Sequence, residues 1–144
     1  MKQAAAALVL AFASLAALAQ STPAGLWKTI DDDGKTEKSL VRITSDGGVF
    51  TGKVEKIFDP QKADAKCDKC SDDRKDKPIV GMTIINGVRQ DADDASIFDG
   101  GEILDPAKGK TYRVRLKPIE GGRKLQVRGY LGPFFRTQEW IRAE

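Results

Sequence analysis

Histidine is absent from all 144 residues. Ser-His-Asp triads, imidazole general bases and every metal site that needs a histidine are therefore excluded. Cysteine is nearly absent, with two residues in the whole chain, Cys67 and Cys70. A zinc site wants about four ligands, and two cysteines among scattered aspartates make a poor one. Charge of one sign is lacking too. The 24 basic and 21 acidic side chains leave a net +3, well short of the one-sided basic excess that marks nucleic-acid binding. No glycine-rich phosphate loop precedes a helix. No segment past residue 20 repeats apolar positions at i, i+3, i+4 and i+7 over three turns, so long amphipathic helices are not expected.

Long apolar runs are scarce as well, with one exception. Residues 4–19 carry no charge and only one hydroxyl, Ser14, after Lys2 and before Ala17-Leu18-Ala19. A charged start, an apolar run and a small-x-small exit form a secretory signal pattern. The run is shorter than the ~20 apolar residues a bilayer span requires. The reading is a signal peptide at 1–19, cleaved before Gln20, and one domain at 20–144 with no membrane span. That length supports a single core.

What remains is short alternating pieces separated by turn residues. All 14 glycines and all 6 prolines fall after the apolar run. Tyr112, Val114 and Leu116 alternate with Arg113, Arg115 and Lys117; Leu125 and Val127 alternate with Lys124, Gln126 and Arg128. Such a period of two is that of a strand with one face buried. Asp33-Gly34, Asp46-Gly47-Gly48, Asn86-Gly87 and Gly121-Gly122 are tight-turn signals, because hairpin turns need residues tolerant of positive φ; Asp105-Pro106 marks another. Strands are predicted at 25–30, 39–44, 49–58, 80–85, 97–104, 111–117, 124–130 and 135–142. Eight short strands at even spacing point to an all-β sandwich or barrel.

Residues 59–77 do not fit a strand. This connection holds equal numbers of acidic and basic residues, and its length is uncommon inside a compact domain unless the segment is functional or disordered. Cys67-Asp68-Lys69-Cys70 lies within it. In an exported chain the pair reads first as a structural disulfide. Thiol–disulfide exchange and metal binding stand beside that reading, although no βαβ pattern surrounds the cysteines. The acidic clusters Asp31-Asp32-Asp33, Asp72-Asp73 and 91–94 lack the spacing of a calcium loop and read as solvated turns. Glu55, Glu102 and Glu139 fall in predicted strands, but no pair stands out for acid–base work. The balance leans away from an enzyme, and no cofactor is expected.

Several ordered motifs together carry a resemblance. They are Gly25-Leu26-Trp27, Cys67-x-x-Cys70, 78–82 (Pro-Ile-Val-Gly-Met), 100–106 with 109–112, 125–130, and Arg136-Thr137-Gln138 with Trp140. The chain resembles the bacterial family called domain of unknown function 2147, over essentially all of 20–144. It departs from that pattern at Phe98, where a Trp is expected, and in a shortened 131–135 segment. The resemblance implies a small protein exported to the periplasm or medium of a Gram-negative bacterium, with an eight-stranded antiparallel, lipocalin-like barrel and no established catalytic residue.

An eight-stranded barrel is wide enough to fill with side chains or to hold one small ligand. The leading expectation is a non-enzymatic binder of a small apolar or amphipathic molecule. Phe50, Val54, Met82, Ile84, Phe98, Tyr112, Val114, Val127 and Tyr130 are the candidate pocket, with Arg128 as a polar anchor on the weaker side of the alternation. Trp27 and Trp140 are expected at the barrel closure, with Arg136 or Arg142 stacked on Trp27. The alternatives are a cell-envelope interaction module that uses 59–77 as its contact surface, and a thiol–disulfide exchange protein.

Overall fold

A computed structural model describes residues 21–144; the expected signal segment at 1–19 lies outside the described residues. Eight antiparallel strands follow one another: β1 (Gly25–Ile30), β2 (Glu37–Asp46), β3 (Val49–Ile57), β4 (Thr83–Gln90), β5 (Phe98–Asp105), β6 (Lys110–Ile119), β7 (Lys124–Leu131) and β8 (Phe134–Arg142). Each hydrogen-bonds to its neighbour in chain order, and β1 closes onto β8. The fold is a closed, all-β, up-and-down barrel, the arrangement that leaves no free sheet edge.

Register decides which side chains point inward, because directly opposed residues share a face. Trp27 opposes Val41, and Val41 opposes Val54. Leu116 opposes Val127, and Leu125 opposes Trp140. All of these are buried. Phe50 and Phe98 meet edge to face with ring centroids 5.2 Å apart, a favoured aromatic geometry. One end of the barrel is thus filled by large apolar side chains.

Most expected strands coincide with observed ones, but the fourth does not. Asn86-Gly87 was expected to end a strand at a hairpin; instead it lies inside β4, which runs to Gln90. Gly87 at φ 70° and Gly100 at φ 81° lie between Asn86↔Glu102 and Arg89↔Asp99, where β4 and β5 keep one register; the register shifts fall on their other sides, in β3–β4 and β5–β6. The two backbones press so closely there that a Cβ on Gly101 would collide with the backbone of Asn86, Gly87 and Val88. The same residue types that make a tight turn also serve inside a strand where positive φ or a close backbone approach is needed. The true β4–β5 connection is the acidic stretch 91–97, folded on Asp91 and Asp94, whose carboxylates accept backbone N–H bonds from Asp93, Asp94 and Ser96.

The 59–77 connection is ordered. Asp59 caps a short 3-10 turn at Pro60–Lys62, Lys66 bridges Pro78, and the Cys67 N–H donates to the Lys77 carbonyl at 2.9 Å. Cys67 and Cys70 form a disulfide, and both are buried. The Cys67 sulfur lies 3.6 Å from the Pro106 carbonyl oxygen. Gly109 lies against the backbone of Lys69 and Cys70 with no space for a Cβ. The disulfide segment is therefore seated on the β5–β6 hairpin, outside the barrel.

Candidate functional site: the barrel mouth

The two ends of the barrel differ. At the end where β1 begins, Gly25 adopts φ 137°, and a side chain there would run into the Arg142 guanidinium. Arg142 lies over the Trp27 ring, 4.3 Å from its centroid. Its Nε donates to the Gly122 carbonyl at 2.6 Å and its Nη1 to the Ala24 carbonyl at 3.0 Å. Trp27 Nε1 donates to the Pro23 carbonyl at 2.7 Å. An indole, a planar cation and three backbone carbonyls seal this floor, and Trp27 is wholly buried.

The expectation for Arg136 is corrected here. Arg136 shares the inward parity of Arg142 but lies six residues earlier on β8, at the opposite end. Its Nη1 donates to Asp32 Oδ2 at 2.8 Å, and the pair is exposed. Asp32 Oδ1 accepts from Gln138 Nε2 at 2.9 Å, and Gln138 Oε1 accepts from Trp140 Nε1 at 2.9 Å. A polar line thus climbs the inner face of β8 from the buried Trp140 to the rim. It also stitches a gap. The β1–β8 ladder holds only Trp27↔Arg142 and Lys28↔Ile141, and beyond Lys28 the Asp32 carboxylate links the two sides through side chains.

Inward residues near this end remain partly open. Ser39 opposes both Thr29 and Ile57, and the two hydroxyls are 2.8 Å apart. Ile103 opposes Ile85 and Tyr112. The Tyr112 ring uses space left by Gly129, where a Cβ would sit 3.4 Å from Tyr112 Cβ. Ser39, Ile57, Ile103, Tyr112 and Gln138 are all half-buried, in contrast to the sealed floor. With Asp32 and Arg136 at the margin, they line the mouth of the barrel.

Of the expected pocket residues, Tyr112 stands in this mouth. Phe50, Val54, Phe98, Val114 and Val127 are buried in the packed core toward the floor. Met82 precedes β4, is buried, and accepts the Val54 N–H on its carbonyl at 3.0 Å. Three expectations, Ile84, Arg128 and Tyr130, are corrected by register. Ile84 alternates with the inward Ile85 and so faces outward, as does Leu104 beside the inward Ile103; both are buried on the side where the disulfide segment is seated. Arg128 and Tyr130 alternate with Leu125 and Val127 and project from the outer face, where Arg128 lies over Phe135, 4.6 Å from its centroid. Ser39, Ile57 and Ile103 were not singled out from the sequence, and Asp32 and Gln138 were noted there only in an acidic turn and a family motif. Strict alternation on β8, extended from Trp140, is the signal that finds Gln138; on β5 a register shift after Phe98 breaks the alternation, and Ile103 is found only through its pairing with Tyr112.

Outside the barrel, an open cleft beside the charged segment is bordered by Asp72, Arg74, Pro78, Met82, Asn86 and Glu102. Arg74 spans its edge, donating to the Thr83 carbonyl at 3.1 Å and pairing with Asp72. That guanidinium holds the Asp72 carboxyl down to about 2. Among the described residues no group of three or more cysteines and carboxylates is placed to hold a metal ion, and no helix is long and apolar enough to cross a membrane.

The model of a family described as an uncharacterized protein conserved in bacteria, DUF2147, matches residues 25–142. No curated protein matches the chain. Among solved structures, protein HP1028 from the human pathogen Helicobacter pylori, described as belonging to the lipocalin family, is similar over 87% of this chain and 85% of its own, with 19% identity and a TM-score of 0.72. At that identity the likeness concerns the fold.

Proposed function

Since the chain belongs to the DUF2147 family and has a lipocalin-like barrel, we propose that it is an exported, non-enzymatic binder of one small apolar or amphipathic molecule, held in the barrel mouth. The observation that carries this reading is the asymmetry of the inner face. One end is sealed by Trp27 and Arg142, while inward Ile57, Ile103 and Tyr112 stay half-exposed at the other. Small-molecule sites combine largely apolar walls with a few placed polar groups. Here Ile57, Ile103 and Tyr112 supply the wall, and Arg136, Gln138 and the Thr29–Ser39 hydroxyl pair supply polar contacts. An amphipathic ligand fits best, its tail against Tyr112 and Ile103 and its head toward Arg136.

The test is native mass spectrometry of the chain purified without denaturant, coupled to titration with an environment-sensitive apolar fluorophore. A co-purified mass released on unfolding, and probe binding weakened about tenfold or more by Ile103→Asp, support the reading. Probe binding unaffected by Ile103→Asp and by Tyr112→Ala, with no co-purified mass, refutes it.

A further inference from the structure

The β7–β8 hairpin projects at the rim of the mouth. At its tip Leu131, Phe134 and Phe135 are 55%, 76% and 60% exposed; Leu131 opposes Phe134 on the inward parity of Arg136, and Phe135 opposes Tyr130 on the outer face. Of the described residues they make up most of the exposed large apolar side chains, the others being Val80 and Ile141. Clustered exposed apolar side chains mark interaction surfaces, whereas single ones need no explanation.

A cationic face runs down from the tip on the outside of the barrel. Arg115 opposes Arg128 directly across β6 and β7, and Arg113 opposes Tyr130. Like charges placed opposite one another destabilise a sheet unless something neutralises them. The neutralisation within the chain is sparse. Arg115 reaches Asp99 at 3.9 Å, yet its buried Nε has no acceptor. Glu102 faces Arg113 in register, but among the described residues neither Arg113 nor Arg128 has a carboxylate within ion-pair distance. Instead the guanidiniums rest on rings: Arg113 and Arg115 lie 5.7 and 5.9 Å from the Tyr130 centroid, and Arg128 lies 4.6 Å from that of Phe135. Aromatic backing, and at Arg128 a 2.9 Å bond from Nε to the Thr137 hydroxyl, hold the cations in place. Arginine forks match phosphate geometry.

We propose that this hairpin is a membrane-docking tip: Leu131, Phe134 and Phe135 insert among the headgroups of an anionic bilayer while Arg113, Arg115 and Arg128 engage its phosphates. Apolar and aromatic side chains beside basic ones are the composition that binds at a bilayer interface, and basic residues near an anionic surface add to the attraction. A nucleic acid would use the arginines but leave the three apolar side chains of the tip in water. The docking surface lies on the outer face and rim, so it stands whether or not the mouth is loaded. If both readings hold, the mouth is presented at a lipid surface.

The experiment is co-sedimentation of the chain from Gln20 onward, which contains every strand of the closed barrel, with phosphatidylcholine vesicles made with and without phosphatidylglycerol. Pelleting is expected with the anionic vesicles and should weaken as salt shortens the screening length. Phe134→Ser with Phe135→Ser should lower binding more than about tenfold, because even half-burial of two phenyl rings exceeds that ratio. Arg113→Gln and Arg128→Gln should each lower it by about fivefold and flatten the salt dependence. Circular dichroism of each variant establishes that the barrel is intact.

No preference for anionic vesicles, or binding indifferent to the phenylalanine substitutions, overturns the proposal. So does a solution dimer that dissociates on Phe134→Ser, which would assign the tip to a second copy. Loss of vesicle binding with intact fluorophore binding in the mouth removes this proposal alone; the reverse outcome removes only the ligand site.

Discussion

Arg142→Met tests the sealed floor directly. Methionine keeps an unbranched stem to cover Trp27 and removes the guanidinium. Lost with it are two hydrogen bonds from a charged donor, to the carbonyls of Gly122 and Ala24. Bonds of this kind contribute about 1.5–3 kcal/mol each. The floor is only partly buried, so water will re-satisfy some of this and the lower figure applies. The stacking on Trp27 at 4.3 Å adds about 0.5–1 kcal/mol. The expected loss is about 3.5–4 kcal/mol. Urea unfolding reads it: with a slope of about 1.5 kcal/mol/M, the midpoint should fall by about 2.3–2.7 M at unchanged slope. Arg142→Lys should recover only part, since a point charge cannot replace a planar fork that bonds twice while stacked. Arg136→Met is the control. Its exposed pair with Asp32 should be worth under about 1 kcal/mol. If Arg142→Met costs no more than Arg136→Met, the floor is not sealed by this cation. A double-mutant cycle with Trp27→Leu should show a coupling of about 0.5 kcal/mol or more.

Four further outcomes are expected. Trp27→Ala, at a wholly buried ring, should lower stability by about 3–5 kcal/mol in the same urea assay. Replacing Cys67 and Cys70 with alanine should cost about 2 kcal/mol, the loop-entropy value for so small a ring. The strand signal in circular dichroism should persist while protease cuts the 59–77 segment faster; a variant that fails to fold would show that the pair does more than pin this segment. Gly101→Ala should cost at least about 2 kcal/mol, because its Cβ would meet backbone rather than a movable side chain; a neutral substitution would contradict the close β4–β5 approach. The Asp72 carboxyl, usually near 3.8, is held to about 2 by Arg74. A lowered carboxyl stabilises the folded state above its unfolded value, and that contribution fades as pH falls from about 4 through about 2. Carboxyl-detected NMR titration should show this midpoint, and Arg74→Gln should bring it back toward the ordinary value. An ordinary midpoint in the parent chain would break the assignment.

Much of the barrel was legible because alternation is local. Leu125 and Val127 against Gln126 and Arg128 identify β7 without reference to any other strand, and the same alternation already places Tyr130 outside. Its aromatic character suggested an inward position, but parity governs. Less local features were harder to read. Asn86-Gly87 has the composition of a hairpin, and only the close approach of Gly100-Gly101 on another strand shows that it lies mid-strand. Ile84 and Leu104 look like core because they are apolar; what buries them is the 59–77 segment returning over the outer face, a contact far away in sequence. Arg136 and Arg142 share one parity on β8, and only the register with β1 decides which of them reaches Trp27. The mouth combined both difficulties, since its residues come from six strands and a loop and none forms a contiguous motif.

The two-pair ladder between β1 and β8 bears on the order in which the chain assembles. Trp27 and Arg142 come from opposite ends of the barrel sequence, so their contact closes the longest loop in the molecule and carries the highest closure entropy. Every other strand can pair with the one just made as the chain lengthens. The final seam must wait for the last residues of β8. Until then the nascent barrel is a curled sheet with two unpaired edges, the arrangement most prone to joining a neighbouring chain. With so few backbone bonds at the seam, the Arg142 stack and the Asp32 stitch serve as a clasp, fastened last in folding and released first when the barrel opens.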